Sequence, residues 1–80
     1  MDSTKLKGLR VGKGLTQKQI SKKLGMAVKT YNRKELGLVE FTRDEILRLA
    51  EILDMSLQSV NEIFFDNKLT NRISGDNQTA

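Results

Sequence analysis

Cysteine and histidine are both absent from these 80 residues. Without cysteine there is no disulfide framework. Without either residue a zinc site would have only carboxylates to bind it, so no metal is expected. Nucleophilic catalysis built on Cys–His or Ser–His pairs is excluded for the same reason. Gly12, Lys13 and Gly14 lack the preceding strand and the further glycine of a nucleotide-binding loop. No apolar run approaches the length of a membrane span. The N-terminus has no apolar core of a secretory signal, so the cytoplasm is the expected location. Aromatics make up 5% of the chain, so each one counts in a core this small. Together these absences argue against an enzyme, and no cofactor or small-molecule substrate is expected.

The charge present is unevenly placed. Residues 1–35 carry ten Lys and Arg against two acids, a balance of +8, and residues 36–80 carry four against eight, a balance of −4. A basic half joined to an acidic half suits a polyanion-binding face backed by a solubilising one. Lysines that merely solvate helix surfaces would give the same tally, so position has to decide.

Position is most informative in residues 15–37, LTQKQISKKLGMAVKTYNRKELG. Thr16 and Gln19 have capping-box spacing, and Leu15 precedes them as a staple. Ile20 and Leu24 form one apolar stripe over a helix spanning 17–24, with Lys18, Lys22 and Lys23 on its wet side. Gly25 supplies the left-handed residue that ends it. A second helix follows over 27–35 with Tyr31 as its inward anchor. Two short helices with a glycine in the turn are the helix-turn-helix signature, in which the second helix enters the DNA major groove. Tyr31 lies about 200° round the helix from Lys29, so Lys29 and Arg33 point outward on one face and Val28 and Asn32 share the adjoining strip. Arg33 suits guanine N7 and O6, Lys29 the same groups or a phosphate, Asn32 adenine or a phosphate, and Val28 a thymine methyl. These four are the expected base readers. Gln17, at the positive end of its helix, can hold a phosphate or can simply neighbour the capping box. Lys18, Thr30 and Arg43 are the other expected phosphate contacts.

The flanks read as scaffold. A first helix capped by Asp2, Ser3 or Thr4 buries Leu6 and Leu9 and fades at Gly12 to Gly14. Leu38 and Phe41, in the loop after Gly37, are apolar enough to tuck into the core. Lys34 falls where the core would favour an apolar residue, and is expected to lay its stem inward and lift its charge to water. Thr42 and Glu45 form a second capping box, followed by Ile46, Leu49, Ala50 and Leu53 at helical spacing. Arg43, Asp44, Arg48 and Glu51 take the solvent side. Ser56 caps a fifth helix over 57–65 whose stripe is Val60, Ile63 and Phe64. Phe64 and Phe65 are adjacent, so one closes the core while the other is left for a subunit interface. The alternative places both in the core. Residues 1–65 thus read as one all-α, five-helix domain, and 66–80 as a polar tail with only Leu69 and Ile73 as apolar anchors.

These residues resemble a family. Thr16 and Gln17, Gly25, Tyr31, Glu35, Gly37 and the apolar fourth helix look like the Cro/repressor-type, lambda repressor-like helix-turn-helix proteins. The ending LAEILDMSLQSVNEIFF looks like small repressors of Gram-positive phages and mobile elements. The resemblance implies a homodimer on a palindromic double-stranded operator. It implies a buried pair between Arg10 and Glu35, and dimer contacts through Met55, Leu57 and Phe64 or Phe65. The chain departs from the pattern at Ala27, Lys34 and Leu36. A protein-interaction module such as an antirepressor or adaptor, keeping the fold without operator binding, is the competing expectation.

Overall fold

Side-chain caps set where this chain turns helical. The structure, a computed structural model, describes residues 1–66. Its helices are α1 (Ser3–Gly12), α2 (Gln17–Leu24), α3 (Val28–Glu35), α4 (Arg43–Ile52) and α5 (Leu57–Phe64). Asp2 accepts from the Lys5 N–H at the head of α1, and Ser56 from the Ser59 N–H at the head of α5. Thr16 with Gln19, and Thr42 with Glu45, form reciprocal capping boxes on α2 and α4. Each cap satisfies a backbone donor that the helix itself leaves open, worth about 1 kcal/mol. At α3 the cap position is Ala27, which makes no such bond, so tertiary contacts must hold that helix. Among the described residues there is no strand, and the architecture is the expected all-α, five-helix one. Apart from Asp66, the tail expected over 66–80 lies outside the described residues.

Every helix contributes to one core. Leu6, Ile20, Leu24, Tyr31, Phe41, Leu49, Leu53 and Ile63 are buried, with Leu9, Leu15, Met26, Ile46, Ile52, Met55 and Phe64 packed around them. Phe41 joins the two ends of this core. Its ring lies 6.0 Å from that of Tyr31 and 5.6 Å, edge to face, from that of Phe64. The Asp2 N–H donates to the Ile63 carbonyl at 2.7 Å, tying the N-terminus to α5. Gly25 (φ 73°) closes α2, with the Met26 N–H returning to the Ser21 carbonyl at 3.0 Å. Gly37 (φ 83°) does the same for α3, and a Cβ there would come within 3.3 Å of Ser3 Oγ.

Two expectations need correcting. Leu38 does not enter the core but is 72% exposed. It sits on the corner of the turn closed by its own N–H to the Arg33 carbonyl, and Phe41 has taken the space between Tyr31 and Phe64. Lys34 does not lift its charge to water. It is buried, and its Nζ pairs with Glu45 Oε1, the same oxygen that accepts from the Thr42 N–H. The α4 capping box thus supplies the counter-charge that makes a lysine tolerable at a core position. Arg48 is exposed on the solvent side of α4, as expected, and its guanidinium donates to the carbonyls of Leu24 (3.2 Å) and Lys23 (3.0 Å). It satisfies acceptors at the C-terminus of α2, where a cation is favoured.

Candidate nucleic-acid interface

Three residues, Gly25, Met26 and Ala27, separate α2 from α3, and the two helices pack on each other. Tyr31 is fully buried and roots α3 in the body. The rotation between positions then determines the outward face. Val28, the first residue of α3, is 45% exposed. Lys29, Thr30 and Arg33 are exposed as well, and Asn32 is half-buried. Among the described residues neither Lys29 nor Arg33 forms an ion pair, so both charges are available to a ligand. Lys18 is exposed in the first turn of α2 and Arg43 in the first turn of α4.

A buried polar network holds this face in register. Arg10 Nε donates to Glu35 Oε2 at 2.8 Å and its Nη2 to Oε1 at 3.1 Å, while Nη1 donates to the Leu15 carbonyl at 2.7 Å. The Tyr31 hydroxyl donates to Glu35 Oε2 at 2.6 Å, and Gln17 Nε2 to Oε1 at 3.1 Å. Asn32 Nδ2 in turn donates to Gln17 Oε1 at 3.1 Å. One carboxylate therefore joins α1, the start of α2 and the end of α3. The Gln17 side chain bonds to Glu35 and Asn32, which uses one of its two Nε2 protons and its oxygen.

Burial alone would raise the Glu35 pKa, but hydrogen bonds from Arg10, Tyr31 and Gln17 outweigh it and hold the carboxyl below the usual range. Glu45 is likewise held low against burial, by Lys34 and the Thr42 backbone. The hydrogen bond to Glu35 raises Arg10 against the cost of burial. The Tyr31 phenol is pushed up, first by burial and then by its bond to Glu35. The two carboxyls are lowered on folding, so their stabilisation is present above their unfolded pKa of about 4.3 and is lost as pH falls through their folded values. Tyr31, shifted the other way, contributes below its unfolded pKa of about 10 and less above it. Melting temperature is thus expected to be insensitive to these groups near neutrality and to fall below about pH 4.5. Glu35→Gln should flatten that acid limb. Scanning calorimetry over this pH range checks it, and a wild-type profile still level at about pH 3 would contradict it.

The expected dimer residues divide. Met55 and Phe64 are half-buried against the core, whereas Leu57 is 77% and Phe65 40% exposed. A cleft of about 370 Å³ opens between Met1, Val39, Phe41, Ile46, Phe64 and Phe65. None of its lining residues is among those expected to meet DNA. Among the described residues, no group of three or more acidic side chains could hold a metal ion, and no helix is long and apolar enough to cross a membrane.

Two short helices in this relation, with Lys29 and Arg33 exposed and without ion pairs on the second, define a DNA-binding helix-turn-helix domain. The helix-turn-helix family matches the chain over residues 6–60, from the apolar stripe of α1 into α5. The protein belongs to that family in its Cro/repressor-type form, a family of DNA-binding proteins associated with transcription regulation and not of enzymes. No curated protein and no solved structure gives a significant match.

Proposed function

We propose that the protein is a sequence-specific transcriptional repressor of a phage or mobile element, binding a palindromic operator as a homodimer with α3 in the major groove. The observation that carries this reading is the pair Lys29 and Arg33, exposed one turn apart on a helix whose opposite side is fixed by Tyr31 and Glu35. In this reading Val28, Lys29, Asn32 and Arg33 meet base edges. Lys18, Thr30 and Arg43, with the second Nε2 proton of Gln17, meet phosphates. Leu57 and Phe65, the exposed apolar residues of α5 and its end, lie in the dimer contact, with Met55 and Phe64 behind them. Two copies then set their α3 helices one DNA turn, about 34 Å, apart.

Arg33→Ala is expected to cost about 1–3 kcal/mol and to relax preference at one base position. Lys18→Ala should weaken all sequences alike, because a phosphate contact carries no sequence information. Binding measured against a full set of single-base operator substitutions separates the two effects, and an unchanged profile in both variants would refute the assignment. A second reading has support in Leu36, Leu38 and Val39, exposed in a row just beyond α3. Such a surface suits a module that binds protein rather than DNA. Failure to bind any duplex at low salt would favour it.

A further inference from the structure

The network around Glu35 has a direction. A carboxylate can only accept, so Gln17 must turn its amide nitrogen toward Glu35 Oε1 (3.1 Å). That leaves Gln17 Oε1 facing Asn32, which must answer with its own nitrogen, Nδ2 (3.1 Å). Arg10, bonded to both Glu35 oxygens, keeps the carboxylate from turning. The polarity of the surface amide is therefore decided two bonds deeper, at a buried ion pair. Asn32 Oδ1 is left over. Among the described residues nothing donates to it, and Asn32 is half-buried on the strip beside Lys29 and Arg33.

We infer that Gln17 is a positioning residue that fixes Asn32 with its oxygen outward, so that Asn32 selects a base carrying an exocyclic amino group. This inference rests on α3 reading the major groove. In that groove adenine N6 and cytosine N4 are donors, whereas guanine O6 and thymine O4 are acceptors. A free asparagine could rotate its amide to serve either kind. An amide whose nitrogen is tied back keeps a second N–H, but it cannot exchange its oxygen for its nitrogen without breaking a hydrogen bond and leaving Gln17 Oε1 unpaired, so Oδ1 stays in place to accept from an amino group. Selectivity at this position then comes from α2, although no α2 side chain need touch the base.

The test is an unbiased selection of bound duplexes by the full chain and by Gln17→Leu, Asn32→Asp and Arg33→Ala. In the wild type, one half-site position should favour adenine or cytosine over guanine or thymine by about tenfold, the worth of one well-placed base contact. In Gln17→Leu that preference should fall to about twofold or less, while the position that depends on Arg33 keeps its own. Asn32→Asp, with only oxygens to offer, should retain the amino preference at lower total affinity. An amino preference undiminished in Gln17→Leu, or an Asn32-dependent preference for guanine or thymine, overturns the inference. If Arg33→Ala changes nothing anywhere, it is groove reading by α3 that fails. The relay is also measurable without DNA. In the free protein, Gln17→Leu should shift the Asn32 side-chain amide signals and speed their exchange while the backbone spectrum shows the fold intact. Unmoved Asn32 signals would overturn the relay whatever DNA binding shows.

Discussion

Glu35→Ala is expected to destabilise the protein by about 3–5 kcal/mol, the usual result of removing one partner from a buried ion pair. The carboxylate receives four hydrogen bonds: two from Arg10, one from Tyr31 and one from Gln17. Its removal leaves a buried guanidinium without a counter-charge and a buried phenol without an acceptor. Folded domains are stable by only about 5–15 kcal/mol, with small ones at the low end, so the variant should be close to unfolding at room temperature. Urea titration followed by circular dichroism measures this directly, and a loss under about 1 kcal/mol would show that the network contributes little. Replacing both partners, as in Arg10→Met with Glu35→Leu, should recover most of the loss, because neither charge then remains buried. If the double variant is stable but reads operators poorly, the pair serves to set the angle of α3 rather than to hold the fold.

Raising salt from about 50 to about 200 mM is expected to weaken operator binding roughly 10³-fold under the proposed mode. Each copy would set Lys18 and Arg43 on phosphates and the Lys29 charge within the groove, giving about six displaced counterions for a dimer and a log–log slope near −5. A single copy with three such contacts would lose only about 40-fold over the same range. The slope therefore reports on stoichiometry as well as on electrostatics. Fluorescence anisotropy with a labelled operator at five or six salt concentrations is sufficient. A slope near zero would mean that the basic half of the chain does not face DNA. The exposed acids Asp44, Glu51 and Asp54, on or just after α4, should not contribute.

The helix boundaries were legible because their causes are local. A threonine three residues before a glutamine or glutamate, a glycine where φ must be positive, and leucines at helical spacing all act within one turn of chain. The outward direction of Lys29 and Arg33 followed in the same way once Tyr31 was taken as the anchor. The Arg10–Glu35 pair is different. Its partners are 25 residues apart, and only the resemblance to a family brought them together.

The amino-acid sequence alone determined the number of helices, their ends, the turn between α2 and α3 and the face of α3 that carries charge, since each depends on neighbours within about four residues. Tertiary structure alone decided which polar groups meet. Gln17 with Asn32, Lys34 with Glu45, and Arg48 with the end of α2 lie 11 to 25 residues apart. Likewise it chose Phe41 over Leu38, and Phe64 over Phe65, for the core. Side chains of similar polarity have equal claims on a partner until packing removes water and leaves one acceptor within reach.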